Sequence, residues 1–421
     1  MVNVNDFHGL CDNDVIEKAI ANKGVDGIVV ISPRMSDVEP ERSYWLLDRA
    51  ILLPENTTLI LRNCMLKLSD RCRDNFIRSA NCGLGIEDPR RIQNIHIRGE
   101  GLCVLQGADH PRSTGDGGKL LANPCPFEVE DLCRLANWIP EERKRNGQLE
   151  FLERHDHSYG TDYGKAGESQ KGDWRNIGIL LANVEHFSIS GLKMVEGHGW
   201  HISLEECAYG CVEKIEFDAC MSKVIDGMRM NMENQDGIDI RNGCHHISIS
   251  DITGRTGDDV VALTAIAGDT VRPGGQLQTT HVMHSDWSRR DRNIHDIQIR
   301  NVTAYSFLCY TVRLLPANAK IWNVVVDGII DTSPVVHDHG GTVLLGEPDS
   351  AYGKNYPDGL RFITVSNVIC GSKRAVRVSG YLWDSVISNV VNRNPGCPAL
   401  IVEKPDGIKN VQTFNLITVE E

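Results

Sequence analysis

The sequence predicts an all-β fold, a single-stranded right-handed parallel β-helix, and three observations support it. A unit recurs along the chain, in which an alternating apolar strand is followed by a Gly, Asn or Asp turn and a second short apolar strand. Its copies start roughly 24 to 32 residues apart, with longer gaps in places, which is a repeat length of stacked solenoids. Apolar residues within each copy alternate with period 2, as in strands, and lack the 3.6-residue period of helices. The copies cover residues 94–99, 183–191, 212–217, 246–252, 293–302, 321–328, 360–368, 385–390 and 408–412.

The repeat explains how 421 residues could form one domain. In a solenoid each coil buries its apolar face against the next coil, so the core lengthens with the chain. The chain is 41% hydrophobic, which suffices for such a core, and it contains 39 Gly to supply turns. Because no linker interrupts the pattern, we expect residues 1–421 to form a single β-helix domain.

The first coil needs a cap, because an open end would expose apolar core and unpaired strand edge to water. Residues 12–24 begin with acidic and Asn residues, carry apolar residues at helical spacing and end in Gly24. This pattern is typical of a short amphipathic helix. We therefore expect a capping helix within an N-terminal cap of residues 1–30.

Three stretches break the repeat, at about residues 106–175, 265–292 and 331–358. They lack the alternating pattern and are charged or contain several His. Long insertions in a solenoid project from one face and often form the walls of a binding groove. The histidines of the last two stretches do not have the spacing of a metal-binding motif, so no metal site is predicted there.

Composition disfavours several classes of partner. The net charge of −13 is a poor match for nucleic acid, which is usually bound by a basic surface. No apolar run is long enough to span a bilayer, so no membrane partner is expected. The first residues lack the features of a signal peptide, and the 14 Cys are scattered without CxxC pairs. We expect a cytoplasmic protein whose reduced cysteines serve as small core residues. The alternative is a secreted protein whose leader has been removed.

Two acidic segments, residues 234–239 and 256–263, lie about one repeat apart. Asp236 and Asp258 are 258 − 236 = 22 positions apart, so adjacent coils would stack them about 4.8 Å apart along the backbone, with Asp259 beside them. Close carboxyl groups raise one another's pKa, which lets one keep a proton while another is ionised. Hydrolysis of a glycosidic bond needs this division of labour.

A structural explanation competes with the catalytic one. Asp, Asn and Gly are common turn residues, so either segment alone would indicate only a turn. Asp236 also has the strand parity of Ile238 and Ile240, and strict alternation would direct it into the core. A functional Asp236 therefore requires a bend at Gly237. The two segments together, at one-coil spacing, favour a functional cluster.

These segments resemble motifs of the polygalacturonase-like glycoside hydrolases of family 28, which have the pectin-lyase-like β-helix fold. Residues 234–239 resemble the family's Asn-Thr-Asp-Gly motif, and residues 257–259 resemble its Gly-Asp-Asp motif at a matching interval. The resemblance implies inverting hydrolysis of pectic or related oligosaccharides without a metal or organic cofactor. It also implies that Asp258 is the general acid and that Asp236 and Asp259 position the attacking water.

The sequence departs from the family in its substrate-binding motifs. The Gly-His-Gly motif should fall at residues 307–313, which contain no His, so Tyr310 or Arg313 would take its place. The Arg-Ile-Lys motif should fall at residues 341–347, which contain no cation. Either Arg313 or Arg289 replaces it, or the substrate is a different sugar. The long insertions, if they close one end of the groove, favour an exo-acting enzyme.

Further sugar contacts are expected beside the acidic motifs. Trp200 could stack on a sugar ring, and the flanking His198 and His201 could bond to hydroxyl groups, although surface packing would explain all three equally well. The expected substrate-binding residues are Asn234, Trp200, His198, His201, Tyr310, Arg313 and Arg289.

Two other functions remain open. A polysaccharide lyase, or another sugar-converting enzyme on the same fold, could use Arg313 with a calcium ion held by Asp236, Asp258 and Asp259. A non-catalytic carbohydrate-binding β-helix would bind the sugar without forming a product. The nature of the product distinguishes the three.

Overall fold

The computed structural model is dominated by short parallel strands stacked along one axis. It describes residues 1–36, 39–70, 72, 74–83, 86, 89–109, 174–225, 228–232, 234–266, 291–334, 336, 340–347 and 353–420. The described residues contain one α-helix, α1 (Asp12–Ala21), and three 3-10 helices, at Val4–Asp6, Trp174–Asn176 and Pro405–Gly407. None of their helices is long and apolar enough to cross a membrane.

The described strands, in chain order, are β1 (Val2–Asn3), β2 (Ile28–Ile31), β3 (Trp45–Leu47), β4 (Ile51–Leu53), β5 (Thr57–Arg62), β6 (Met65–Leu68), β7 (Ile77–Ser79), β8 (Ile92–Glu100), β9 (Val104–Gln106), β10 (Ile179–Ala182), β11 (Val184–Val195), β12 (Ile202–Glu205), β13 (Ala208–Asp218), β14 (Ser222–Ile225), β15 (Met228–Asn231), β16 (Ile238–Arg241), β17 (His245–Thr256), β18 (Val261–Ile266), β19 (Ile294–Ser306), β20 (Tyr310–Ala317), β21 (Ile321–Asp331), β22 (Gly341–Leu345), β23 (Leu360–Cys370), β24 (Val376–Val378), β25 (Leu382–Asn392), β26 (Leu400–Val402) and β27 (Ile408–Thr418).

The strands form two long parallel sheets that run the length of the molecule. The first sheet follows the order β1-β2-β5-β8-β11-β13-β17-β19-β21-β23-β25-β27, with β3, β6 and β9 attached to its early part. The second follows β26-β24-β22-β20-β18-β16-β12-β10-β7-β4. From β10 onward, apart from the antiparallel pair β14–β15, the chain alternates between the two sheets, as a coil must. The predicted parallel β-helix is confirmed.

The core lies between the two sheets and consists of stacked columns of apolar side chains. One column contains Ile97, Ile189, Val212, Ile249 and Ile299 in register on successive strands, all fully buried. All nine predicted repeats fall on strands of the first sheet, because that sheet carries the long alternating strands. Along the main strand order of this sheet, coil lengths range from 382 − 360 = 22 residues between β23 and β25 to 184 − 92 = 92 between β8 and β11, where the first predicted insertion lies.

The predicted capping helix is present, but it ends three residues before Gly24 and its capping differs. Cys11 occupies the N-cap position and its side chain makes no capping bond, whereas the chain leaves the helix at Asn22. Asp12, the expected cap, is instead buried against the guanidinium groups of Arg34 and Arg42. The helix packs its apolar face on the first coil through Val15, Ile16, Ala19 and Ile20.

The predicted insertions lie mostly outside the described residues. The range predicted for one of them, residues 331–358, is too long, because it includes a strand. Within residues 331–358, β22 is a regular strand of the second sheet and pairs with β20 and β24. The described cysteines are all free, as expected, and seven of them are buried. The other five described cysteines are only partly buried, so the prediction that cysteines serve as core residues holds for some of them: Cys11, Cys211, Cys220, Cys309 and Cys397 are the exceptions.

Candidate active site

The acidic residues lie where three adjacent strands of the second sheet begin. Inward side chains of β16, β18 and β20 stack in the core as Ile238, Val261 and Val312, which are in register and fully buried. The next position on each strand therefore faces outward. There Asp239 pairs with Ala262, which in turn pairs with Arg313, so a carboxyl group and a guanidinium share the outer face of this sheet.

The register decides which carboxylates are stacked. Ile238 pairs with Val261, so the coil at this point is 261 − 238 = 23 residues long, one more than the 22 that separate Asp236 from Asp258. Asp236 is thus level with Asp259, and the Gly237 amide donates to the Asp259 carbonyl at 2.8 Å. The Asp258 amide faces the carbonyl of Gln235 at 3.4 Å. Both Asp258 and Asp259 lie on the coil next to Asp236.

Gly237 permits the bend that strict alternation would forbid. A Cβ atom on Gly237 would lie 2.4 Å from the Val260 carbonyl oxygen and 2.9 Å from the Phe217 ring, so no larger residue fits there. Beyond the glycine, Ile238 enters the core. Before the glycine, Asp236 is 94% buried. The charges of Asp258, Asp239 and Asp259 raise its pKa, so its surroundings are not only apolar. The bend required by the sequence is present.

Crowding of buried carboxyl groups raises their pKa values. Burial, reinforced chiefly by the charge of Asp258, raises the pKa of Asp236 well above its ordinary value. Burial likewise raises the pKa of Asp239 far above its ordinary value. The pKa of Asp259 rises to about 7, because burial outweighs the neighbouring Arg313 guanidinium. Such groups titrate together, so the cluster retains a proton near neutral pH.

Arg313 is bound on both sides by carboxylates. Its Nη1 donates to Oδ2 of Asp259 at 3.2 Å, and its Nη2 donates to Oε2 of Glu347 at 2.8 Å. The amide of Tyr310 donates to the other Asp259 oxygen at 2.9 Å. Burial would lower the pKa of Arg313, but the carboxylates of Asp259 and Glu347 raise it well above its ordinary value. Arg313 is therefore a permanent cation that orients Asp259.

Asp258 differs from its two partners in exposure. It is half-buried, whereas Asp236 and Asp259 are buried. Its Oδ1 accepts from the Asp259 amide at 2.9 Å. Carboxylate oxygens of Asp258 and Asp259 and the Cys309 sulfur all lie within 4.8 Å of one another, and burial raises the pKa of that thiol well above its ordinary value. Asp258 is thus the carboxyl group of the three most accessible to a bound sugar.

His198 and His201 lie behind the site, which corrects the expectation that they contact sugar. Nε2 of His198 accepts from the Ala108 amide at 2.9 Å, and Nδ1 of His201 donates to the Asp236 carbonyl at 2.6 Å. Burial lowers the pKa of His198 to about 3 and that of His201 to about 4, so both rings are neutral. Their role is structural: His201 holds the backbone of Asp236.

The other residues expected to contact sugar differ in their burial and in their contacts. Trp200 is half-buried on the coil before Asp236, with the Arg241 guanidinium 4.5 Å from its ring centre. Asn234 is half-buried and has a left-handed backbone (φ 48°), a conformation that Asn tolerates well. The Tyr310 hydroxyl accepts from Nη1 of Arg377 at 2.8 Å. Arg289 lies outside the described residues.

The structure adds site residues that sequence reasoning missed. Asp239 belongs to the quoted acidic segment, and its parity opposite to Ile238 and Ile240 could have identified it as outward-facing. Glu347 and the cations Arg374 and Arg377 could not have been found this way. Their proximity to Tyr310 and Arg313 depends on the register across coils of unequal length.

The raised pKa values predict a loss of stability as pH rises. A buried carboxyl group with a raised pKa binds more protons in the folded than in the unfolded state, so the free energy of unfolding falls from about pH 4 upward through about pH 7. Asp239→Asn removes one such group and should raise the melting temperature more at pH 8 than at pH 5, by calorimetry. The exposed Asp6→Asn is the control. An equal effect at both pH values would contradict the assigned shift.

Comparison with known proteins relates the segment that contains the acidic cluster to a family of enzymes. Residues 158–313 match the model of the family described as glycosyl hydrolases family 28. The match covers less than half of the chain, but it contains Asp236, Asp258, Asp259 and Arg313. No curated protein is significantly similar to the chain.

Three solved structures are similar to the chain, all at low sequence identity. The chain is similar to the polygalacturonase from Erwinia carotovora ssp. carotovora, with 13% identity and a TM-score of 0.52, over 97% of this chain and 91% of that one. A family 28 exopolygalacturonase from Yersinia enterocolitica gives 14% and 0.47, over 100% and 78%. An endo-xylogalacturonan hydrolase from Aspergillus tubingensis gives 13% and 0.39, over 96% and 90%. The chain is a parallel β-helix, the fold of the Erwinia polygalacturonase, and its residues 158–313 match the model of family 28 of the glycosyl hydrolases.

Proposed function

We propose that the chain is an inverting glycoside hydrolase acting on pectic or related oligosaccharides. The observation that carries the proposal is the cluster of Asp236, Asp258 and Asp259 on two adjacent coils, with raised pKa values at Asp236 and Asp259. The family 28 match covers all three residues and supports a hydrolase.

The cluster suits acid-assisted attack by water. The three carboxyl groups cannot all be ionised, so one proton stays in the cluster. The proton is shared within the cluster, and Asp258, as its most accessible member, delivers it to the leaving glycosidic oxygen. Asp236 and Asp259 then hold the attacking water, and Asp259 is oriented by Arg313 and by the Tyr310 amide. One carboxyl group protonates the leaving oxygen, and one of the other two accepts a proton from the attacking water, which is the division of roles in inverting hydrolysis.

In this proposal Arg374 binds the carboxylate of a uronate sugar. Arg313 is already bound to Asp259 and Glu347, and Arg377 forms a two-point pair with Glu403. Arg374 is half-buried and donates to the Gly340 carbonyl at 3.4 Å.

The register places Arg374 beyond the carboxylates in the same ladder. Val343 pairs with Val376, so Arg374 is level with Gly341 and, through it, with Tyr310. Three strand spacings separate Arg374 from Asp259, about 14 Å along the backbone. Arg374 would therefore contact a sugar at a subsite distant from the cleaved bond.

Product analysis tests the function. The purified chain is incubated with oligogalacturonides and with neutral galactosyl, rhamnosyl and fructosyl oligosaccharides, and products are followed by mass, near-ultraviolet absorbance and time-resolved proton NMR. Hydrolysis adds one water, and inversion gives the opposite anomer first. An absorbing product without added water would indicate a lyase. Binding without product would indicate a carbohydrate-binding protein, and either result would overturn the proposal.

The same panel tests the substrate class and the mode of cleavage. Arg374→Gln should raise KM for oligogalacturonides and leave the hydrolysis of neutral substrates unchanged. Release of single units or dimers from chain ends would support the exo mode, whereas a spread of product lengths would contradict it. Hydrolysis of neutral substrates alone would reject the uronate part of the proposal and leave the hydrolase part standing.

A further inference from the structure

A second group of potential ligands lies on the first sheet, away from the carboxylate cluster. His246, His295 and Asp296 each offer one ligand atom, and these atoms all lie within 4.8 Å of one another. His246 is near the start of β17, and His295 and Asp296 are near the start of β19. Since His245 pairs with His295, His246 and Asp296 are level on adjacent coils.

The distances between these atoms lie on either side of those around a tetrahedral metal ion. Oδ2 of Asp296 accepts a hydrogen bond from Nδ1 of His295 at 2.7 Å and lies 3.7 Å from Nδ1 of His246. Ligand atoms about 2.0–2.1 Å from a tetrahedral zinc ion lie about 3.3 Å apart, between these two values. Nδ1 of His246 also makes a 2.9 Å hydrogen bond with Nδ1 of His245, which lies outside the group of three.

The surrounding residues hold two of the ligands in place. The His295 ring lies between two parallel rings, that of His245 at 5.0 Å and that of Trp322 at 4.6 Å. Nδ2 of Asn323 donates to Oδ1 of Asp296 at 2.9 Å, which leaves Oδ2 directed at the histidines. Outer contacts of this kind orient ligands in metal sites.

We propose that His246, His295 and Asp296 bind a divalent transition-metal ion of the Zn²⁺ class, independently of the hydrolytic site. Two imidazole nitrogens and one carboxylate oxygen favour Zn²⁺, Ni²⁺ or Cu²⁺ over Mg²⁺ and Ca²⁺, which prefer oxygen ligands. A water molecule occupies the fourth position. The ion joins β17 to β19, whose paired residues are 295 − 245 = 50 positions apart in the chain.

The test measures binding of Zn²⁺ alone to the full chain after treatment with a chelator, by isothermal titration calorimetry. We expect about one equivalent to bind, and no binding of Mg²⁺. His295→Phe keeps the ring stack but removes a ligand, and Asp296→Asn keeps the acceptor for Asn323 but removes the charge. Each should weaken Zn²⁺ binding about tenfold or more. Cobalt(II) should give the absorption bands of tetrahedral coordination in the unmodified chain and lose them in both variants.

His186→Phe is the matched control, because His186 is another histidine of the first sheet that stacks on an aromatic ring, that of Tyr209, at 5.5 Å. It should leave Zn²⁺ binding unchanged, and circular dichroism verifies that all variants are folded. Absence of Zn²⁺ binding would overturn the proposal. Binding of equal strength in His295→Phe and Asp296→Asn would also overturn it, since the ion would then be held elsewhere, for example by cysteine thiols.

Discussion

Asp258→Asn is expected to lower kcat/KM for the best hydrolysed oligosaccharide by about 10²–10⁴-fold, the contribution typical of a general acid. Asn preserves the size of the side chain and can still accept from the Asp259 amide, but it cannot deliver a proton to the leaving oxygen. Most of the loss should appear in kcat, because proton donation acts in the transition state. The measurement is initial-rate kinetics across substrate concentrations.

Asp251→Asn provides the control for this variant. Asp251 is an exposed residue of β17 on the first sheet, and its carboxylate accepts from the Asn301 side chain, a contact that Asn can also make. Its rates should equal those of the unmodified chain. A substrate with a leaving group that needs no protonation should recover much of its rate with Asp258→Asn. Retention of kcat within a few-fold on the natural linkage would show that Asp258 is not the acid.

Arg313→Met is expected to lower the free energy of unfolding at pH 8 by about 3–5 kcal/mol, the cost of removing one partner of a buried ion pair. The variant leaves Asp259, whose side chain is 2% exposed, and Glu347 without their shared cation. The loss should be smaller at pH 5, where protonation relieves the uncompensated charge. Chemical denaturation at the two pH values measures the difference.

Two further variants distinguish the stability effect of the buried ion pair from that of an exposed ion pair. Arg62→Met removes the cation of an exposed pair with Glu100, whose side chains are 44% and 26% exposed, and should cost at most about 1 kcal/mol. Adding Asp259→Asn to Arg313→Met should recover part of the lost stability, because it removes the unpaired carboxylate. If Arg313→Met costs no more than Arg62→Met, Arg313 does not hold Asp259 in solution.

The sequence alone determined the fold and the location of the acidic cluster. Strands with alternating apolar residues recur at the spacing of a solenoid. Stacking them coil on coil buries their inward faces, so the pattern alone predicts the β-helix. The acidic segments at residues 234–239 and 256–263 were recognisable because their separation was close to one coil. Even the bend at Gly237 could be anticipated, since strand parity would otherwise have buried Asp236 among apolar side chains.

The tertiary structure decided which side chains meet. Stacking depends on the register, and a change of one residue in coil length changes the partner: Asp236 is level with Asp259 because this coil has 23 residues. His198 and His201 appeared suited to sugar binding in the sequence, but the fold binds both rings to backbone groups. Pairing of Arg313 with Glu347, and of His246 with Asp296, joins coils separated by chain segments of unequal length. No local pattern encodes those distances, because the intervening loops set them.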